Sequence, residues 1–172
     1  MQFEEKTLKK NYLFHGKILN LRKDEVLLPN DKIEIREMVE HTGGSCILCE
    51  KDGKIVLVKQ FRYPYGKEIW EIPAGKLNAG EDPAKTAIRE LEEECGIKAN
   101  GVEKLFEIYP TPAYTNEIIR IYRAVDIEET SQHLDENEFL SVKWFDKAQL
   151  REMIDNGQIK DAKTLIALLR VL

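Results

Sequence analysis

Cysteine is scarce in this chain, and long apolar segments are missing. Only three of the 172 residues are cysteines, Cys46, Cys49 and Cys95, and an odd number at these spacings provides no disulfide framework for a small secreted domain. No segment reaches the roughly 18 apolar residues of a membrane span, and the charged start lacks the apolar core of a signal peptide. These absences predict reduced thiols, no membrane association and a cytoplasmic location.

An excess of positive charge is also missing. The chain has 26 lysines and arginines against 31 aspartates and glutamates, which gives a formal net charge of -5 at pH 7. A nucleic-acid partner is not expected, because binding to a phosphate backbone requires a basic surface. With 42% hydrophobic residues, the chain is long enough for one well-packed domain and at most a small additional lobe.

Cys46 and Cys49 form a C-x-x-C pair, a spacing that occurs in zinc sites. The pair lies in the apolar run 45–49, and the chain has no second cysteine pair to complete four ligands. Isolated matches to such a short motif are often accidental. A structural role is therefore the favoured interpretation.

Hydrophobic periodicity and turn residues predict strands, a central helix, further strands and a helical C-terminus. The pair Asp52-Gly53 is a strong hairpin signal. A helix over 83–94 begins with Pro83 and ends before Gly96, since glycine adopts the left-handed conformation that closes a helix. A short segment, 68–72, precedes the loop before this helix. The predicted strands cover 17–28, 32–41, 45–49, 54–62, 101–109, 117–127 and 139–145, and later helices cover 147–156 and 161–172.

This order of elements predicts a mixed α/β architecture, of the α+β kind, in which both faces of the sheet are covered. The N-terminal strands, residues 1–40, are expected to form a small separate β-lobe. Residues 41–172 are expected to form the main domain.

Three glutamates of the predicted central helix share one face. Glu90, Glu93 and Glu94 stand at i, i+3 and i+4, so their carboxylates lie close together and repel by roughly 0.2–0.5 kcal/mol per like-charged pair. A bound cation would reverse that repulsion. Oxygen-only ligands favour magnesium or manganese, and magnesium commonly binds through carboxylates together with substrate phosphates. The simpler alternative is a solvated acidic face, in which Lys85 pairs with Glu81 or with another neighbouring acid.

The residues around these glutamates argue for the metal site. Residues 75–97, GKLNAGEDPAKTAIRELEEECGI, fit every position of the pattern G-x5-E-x7-R-E-U-x-E-E-x-G-U, where U is aliphatic. The chain therefore resembles the Nudix hydrolase family. That resemblance implies a Nudix fold, a mixed β-sheet between helices, and attack by water on one phosphorus of a diphosphate.

The resemblance also implies how the box residues act. Two or three magnesium ions, with manganese as a possible substitute, are expected at four ligands. Arg89 and Glu81 are expected to hold these ligands in position without touching the substrate. The implied ligands are the backbone carbonyl of Ala74 and the carboxylates of Glu90, Glu93 and Glu94.

Sequence outside the box resembles the ADP-ribose pyrophosphatases. The likeness lies in Gln60-Phe61-Arg62, in residues 70–75 (WEIPAG) and in Pro112, sixteen positions after the second box glycine. It implies that Arg36 and Arg62 bind phosphate and ribose oxygens. The simpler interpretations stay open: Pro112 could end a strand in an ordinary turn, and either arginine could pair with an acidic residue.

The acidic segment 134–139 resembles a loop whose glutamates lie over the metals in that subfamily. By this alignment Glu136 is the base that orients the water and Glu138 is its helper, and Glu93 is counted among the catalytic residues as well. A shift of two positions in this alignment would exchange the roles of Glu136 and Glu138. A merely solvated loop is the simpler alternative.

The resemblance implies hydrolysis of ADP-ribose to AMP and ribose 5-phosphate. The expected partners are this small nucleoside diphosphate substrate and a second copy of the chain. The resemblance also implies a homodimer that forms through exchange of the N-terminal strands of the lobe 1–40. In it Tyr12 or Phe14 could stack on adenine in the partner's site, although core packing of these rings is favoured. The alternative substrates are nucleoside diphosphate sugars such as GDP-mannose, or dinucleoside polyphosphates. A non-catalytic binding module and an acidic interaction domain are the less favoured alternatives.

Overall fold

The structure is a computed structural model that describes residues 3–172. Within this range the residues divide into two compact units. One unit runs up to Gly43 and also includes Tyr109–Ile118, and the other comprises Gly44–Ile108 and Ile119–Leu172. None of the helices in the described range is long and apolar enough to cross a membrane.

The predicted strands and helices occur in the predicted order, and the structure adds short strands that were not predicted. The strands are β1 (Lys6–Lys9), β2 (Tyr12–His15), β3 (Leu19–Leu27), β4 (Ile33–His41), β5 (Gly44–Leu48), β6 (Glu50–Lys51), β7 (Lys54–Arg62), β8 (Lys67–Glu71), β9 (Ala74–Lys76), β10 (Ile97–Ile108), β11 (Ile119–Glu129) and β12 (Leu140–Asp146). The helices are α1 (Pro83–Cys95), α2 (Lys147–Asp155) and α3 (Ala162–Leu169).

The N-terminal unit is built on one antiparallel sheet. β3 pairs with β4 along its whole length, and its other edge pairs with β1 at one end and with β2 at the other. The segment Tyr109–Ile118 joins this unit through Val39, whose backbone N–H donates to the carbonyl of Tyr114 at 2.7 Å. The division of the chain near residue 40 and the dimerising role of this lobe stay predictions.

The favoured core packing of Tyr12 and Phe14 is wrong. Both rings are exposed, because all four residues of β2 lie at a sheet edge and the part of this unit that the structure describes contains no helix to cover them. The Tyr12 ring stacks on His15 with 4.6 Å between the ring centroids. The strands β1 and β2 were not predicted either.

The second unit contains two four-stranded sheets. One has the order β10-β11-β5-β9, in which β5 and β11 are parallel and the other pairs antiparallel. The other pairs β7 with β12 on one edge and with β6 and β8 on the opposite edge. Asp52 and Gly53, between β6 and β7, both have positive φ angles, 51° and 74°, as the Asp-Gly hairpin signal predicts.

Alternate residues of the central strands enter two different cores. Successive side chains of a strand point to opposite faces, and here both faces are buried. On β5, Cys46 faces the core that also contains residues of α2 and α3, whereas Ile47 faces the core that contains the apolar side of α1. The prediction that helices cover both faces in a mixed α+β fold is therefore confirmed.

The two cysteines of the C-x-x-C pair are buried in different cores, Cys46 in the first and Cys49 in the second. They therefore do not form a common ligand pair. Burial raises the pKa of each thiol to about 12, which keeps both protonated near neutral pH. This placement supports the structural role that the sequence favoured.

Helix α1 begins and ends as its sequence predicts. The Asp82 side chain caps the helix by accepting a hydrogen bond from the backbone N–H of Ala84 at 2.8 Å, and Pro83 occupies the first turn. Gly96 ends the helix with φ 64°. Ala87 and Leu91 pack into the second core, and this buried face fixes the rotation of the helix about its axis.

We expect Leu91→Ala to lower the free energy of unfolding by about 2–5 kcal/mol, because it opens a cavity in the second core. Leu169→Ala provides the matched control, since Leu169 is exposed at the end of α3, and it should cost less than about 1 kcal/mol. Urea unfolding of both variants measures the difference. Equal losses would show that α1 does not depend on this core.

Candidate functional site

The site lies where the loop before α1 meets the helix. β9 pairs with β5, with Ala74 opposite Cys46, and this pairing places Ala74 and Gly75 beside α1. A Cβ atom added to Gly75 would lie only 1.7 Å from Oε1 of Glu90. Glycine is therefore required here, because any larger residue would displace the Glu90 carboxylate.

Glu90 and Glu94 are buried one helical turn apart, with 8% and 2% of their surfaces exposed. The backbone N–H of Ala74 donates to Oε2 of Glu94 at 3.1 Å. Burial raises the pKa of Glu90 to about 7 against the effect of the Arg89 charge. Burial, together with the charges of Glu90 and Glu138, raises the pKa of Glu94 to about 9. The ionised form of each carboxylate is therefore disfavoured at this site when no cation is bound.

Arg89 lies at the centre of a network of acidic side chains. Its Nε atom is 3.0 Å from Oε1 of Glu81, and its Nη1 atom is 2.8 Å from Oε1 of Glu90 and 2.7 Å from Oε2 of Glu93. The hydrogen bond from Arg89 is the largest contribution that lowers the pKa of Glu81, to about 2. Glu81 therefore pairs with Arg89, as expected, and the Lys85 pairing of the alternative interpretation is not observed. The expected pairing of Arg89 with neighbouring acids is observed.

Glu93 is held apart from the buried pair. Its carboxylate pairs with Arg89 and is partly exposed. Across residues 3–172, no three histidine, cysteine, aspartate or glutamate side chains already converge as a metal-ligand group. The ligand roles of Glu93 and of the Ala74 carbonyl stay predictions.

Of the two glutamates in the loop before β12, Glu138 is the one whose charge is among the main influences on this site. Its charge raises the pKa of both Glu90 and Glu94, and its Oε1 atom accepts a hydrogen bond from Nε2 of Gln60 at 3.3 Å. Glu136 is exposed and makes no side-chain hydrogen bond or ion pair with the described residues. The structure therefore brings Glu138, and not Glu136, toward the carboxylate helix.

The three residues predicted to bind substrate lie in different surroundings. Arg62, at the end of β7, donates from Nε to Oε2 of Glu71 at 2.6 Å and lies close enough to Glu94 to lower its pKa. Arg36 lies in the N-terminal unit, where it forms an exposed ion pair with Glu5 at 2.5 Å. Pro112 is exposed in a turn of the same unit. Both arginines therefore pair with an acidic residue, as the simpler interpretation of the sequence suggested. Their substrate contacts, and that of Pro112, stay predictions.

Sequence reasoning assigned no role to three side chains near this site. Gln60 contacts Glu138, and Glu71 and Lys163 form a buried ion pair at 2.6 Å. Glu71 carried a usable signal, because it is a charged residue between the apolar residues Trp70 and Ile72. Lys163 carried none, since its partner lies 92 positions away in the chain.

The residues of the site fit a divalent cation. The donors at Glu90 and Glu94 are oxygens, which suit magnesium or manganese better than zinc. Both carboxylates are desolvated and are near a third acidic group, Glu138, so a cation between them would remove an unfavourable interaction. Because Gly75 has no side chain, the Glu90 carboxylate can occupy the space beside it.

Comparison with known proteins gives concordant matches along the chain. The model of the NUDIX domain matches residues 39–168, and the model of the nucleoside diphosphate sugar hydrolase N-terminal domain matches residues 5–39. The chain is 41% identical to the ADP-ribose pyrophosphatase of Bacillus subtilis (strain 168), and also 41% identical to the methanol dehydrogenase activator of Bacillus methanolicus. Each alignment covers 96% of this chain and 91% of the relative. A crystal structure of an ADP compounds hydrolase superimposes with a TM-score of 0.84 at 20% identity, covering 96% of this chain and 91% of that one.

We expect Glu94→Gln to raise the melting temperature of the metal-free protein at pH 8. The folded-state pKa of Glu94 is about 9 against an ordinary value of 4.5, so the wild type loses stability as the pH rises between these two values. Glutamine carries no charge and escapes this loss, so the difference should exceed about 1 kcal/mol at pH 8 and shrink toward pH 5.

Glu152→Gln is the matched control, because Glu152 is exposed on α2. Its melting temperature should follow that of the wild type at every pH. A Glu94→Gln protein no more stable than the wild type at pH 8 would contradict the desolvation of Glu94.

Proposed function

Because the chain belongs to the NUDIX family, whose domain model matches residues 39–168, we propose that it hydrolyses the diphosphate bond of ADP-ribose to AMP and ribose 5-phosphate. The observation that carries this proposal is the buried pair of carboxylates, Glu90 and Glu94, at the loop that begins the Nudix box. The choice of substrate is supported by relatives named ADP-ribose pyrophosphatase that align over 96% of the chain. The identification of the chain as a Nudix hydrolase from its sequence is confirmed.

Divalent ions, magnesium or manganese, held by Glu90 and Glu94 would withdraw charge from the diphosphate oxygens and lower the pKa of the attacking water. The protein supplies the arrangement of these ligands. Arg89 fixes Glu90 and Glu93 through ion pairs of 2.8 and 2.7 Å, and Glu81 holds Arg89 from its other edge. Glu93 and the Ala74 carbonyl are proposed as the remaining ligands.

Arg62 is proposed to bind a phosphate of the substrate. Glu71 accepts a hydrogen bond from its Nε atom, while its terminal amino groups make no hydrogen bond within residues 3–172. A guanidinium group donates two parallel hydrogen bonds to phosphate oxygens, which suits this role. Arg36 and Pro112 are retained as proposed substrate contacts from the N-terminal unit on the strength of the family resemblance.

Glu138 is proposed to hold the attacking water as general base. Its charge acts on both Glu90 and Glu94, whereas the side chain of Glu136 makes no contact of this kind. These charge effects favour Glu138 over Glu136 as the base, which corresponds to a shift of two positions in the alignment of this loop. Glu136 would then take the supporting role first expected of Glu138.

A second candidate keeps the reaction and changes the substrate. A relative named GDP-mannose pyrophosphatase, 32% identical over 146 residues, favours another nucleoside diphosphate sugar such as GDP-mannose. The N-terminal lobe is also proposed to form a homodimer, which the exposed apolar side chains of Leu13, Phe14 and Ile33 support. A non-catalytic binding module is disfavoured, because all the glutamates of the Nudix box are present.

With ADP-ribose and magnesium, the purified protein should release AMP and ribose 5-phosphate in equal amounts, and EDTA should stop the reaction. Chromatography of the products measures this, with Glu94→Gln as the inactive control. GDP-mannose and a dinucleoside polyphosphate are compared by kcat/KM. A higher kcat/KM for either of these would show that ADP-ribose is not the preferred substrate. It would leave the proposed hydrolysis of a diphosphate bond unchanged.

Glu138→Gln should lower kcat by about two to four orders of magnitude with little change in KM, as expected when a general base is lost. Glu136→Gln, which removes the same charge two positions away, should retain most of the wild-type kcat. Steady-state kinetics on both variants separates the two assignments. The reverse pattern would restore Glu136 as the base.

A further inference from the structure

The carboxylate of Glu71 is held between two cations. Its Oε2 atom accepts a hydrogen bond from Nε of Arg62, and its Oε1 atom accepts one from Nζ of Lys163, each at 2.6 Å. Only 5% of the Glu71 side-chain surface is exposed. Because both oxygens have partners, the Glu71 side chain is fixed from two sides.

Lys163 is charged although it is almost buried, with 11% of its side-chain surface exposed. Burial acts to lower its pKa, but Asp161 at 2.9 Å and Glu71 at 2.6 Å outweigh burial and leave the pKa raised. Buried ion pairs add little net stability, because desolvation offsets the attraction. Their clearer effect is to fix geometry when all partners are in place.

The start of α3 ties this network to the loop before the Nudix box. Asp161 caps the helix by accepting from the backbone N–H of Thr164 at 3.0 Å, and the Thr164 hydroxyl accepts from the backbone N–H of Ile72 at 2.9 Å. Lys163 and Thr164 of α3 therefore contact Glu71, the last residue of β8, and Ile72, which follows it. Two positions further on, the Ala74 N–H donates to Glu94.

Arg62 is the member of this network that reaches solvent. Its side chain is 38% exposed, and its positive charge partly offsets the rise in the pKa of Glu94. Within residues 3–172 only its Nε atom is engaged in a hydrogen bond. Because the guanidinium group is planar and rigid, a contact at Nε restricts the directions in which both terminal amino groups point.

We propose that Glu71 and Lys163 are positioning residues, which hold the Arg62 guanidinium so that its terminal amino groups face the diphosphate of the substrate. Lys163 acts through Glu71, and Glu71 acts through Arg62. This inference rests on the proposed function, in which Arg62 binds a substrate phosphate.

A double-mutant cycle tests whether Glu71 acts through Arg62. Glu71→Gln preserves the shape of the side chain and should raise KM for ADP-ribose roughly tenfold with a smaller change in kcat, since it loosens a charge-assisted contact. Arg62→Ala should raise KM at least as much. The double variant should be no worse than Arg62→Ala alone, because the effect of Glu71 requires Arg62.

Substitutions of Lys163 test the outer part of the network. Lys163→Met keeps the length and removes the charge, so it should reproduce the Glu71→Gln change in KM at smaller amplitude. Lys163→Arg keeps the charge and should retain more of the wild-type KM than Lys163→Met. The control is Lys51→Met, which removes the exposed 2.5 Å ion pair with Glu129 and should leave KM unchanged.

The order of the Arg62 side chain can be measured without substrate or turnover. ¹⁵N relaxation of its Nε–H group should show a rigid side chain in the wild type, and the order parameter should fall below about 0.6 in Glu71→Gln and Lys163→Met. Additive losses in the cycle, or an equally rigid Arg62 in both variants, would overturn the inference. Should the wild type not cleave ADP-ribose while Arg62 still loosens in these variants, the proposed function fails and the positioning of Arg62 is supported.

Discussion

The arrangement of the Nudix unit depends on the burial of two like-charged groups, Glu90 and Glu94, one turn apart on a single helix. Burial raises the pKa of both carboxylates, and the charge of Glu90 raises that of Glu94 further, so ionisation of this turn of α1 is unfavourable in the absence of a cation. The apolar residues of the same helix make the arrangement possible. Leu91 and Ala87 anchor α1 in the second core, and the helix cannot rotate its acidic face into solvent without exposing them.

The surrounding structure accommodates these carboxylates. Pairing of β9 with β5 places Gly75 where its missing side chain leaves room for Glu90, and Ala74 donates its N–H to Glu94. Arg89 neutralises part of the charge from the solvent side. These contacts form a rigid scaffold around oxygen donors, which is what a site for hard divalent ions and a diphosphate requires.

The sequence predicted the elements whose signals are local. The bounds of β7 agree with the predicted strand 54–62, and α1 differs from the predicted helix by one residue, because apolar periodicity and the capping residues specify both. The edge strands β1 and β2 were missed, since strands exposed on both faces carry no apolar alternation. Tyr12 and Phe14 were wrongly expected in a core, because residue type alone does not show that their strand lies at an exposed sheet edge. The Glu71–Lys163 pair depends on tertiary packing across 92 positions, and the choice between Glu136 and Glu138 depends on the path of a loop. Neither is visible from residue patterns.

We propose that Glu90 and Glu94 hold divalent ions against the diphosphate of the substrate. A crystal of the protein grown with manganese and a non-hydrolysable methylene analogue of ADP-ribose tests it most directly, because anomalous scattering identifies each manganese position. We expect manganese bonded to both carboxylates and to oxygens of the diphosphate. Manganese and diphosphate bound elsewhere, with the two carboxylates still free of metal, would show that Glu90 and Glu94 do not form the metal site.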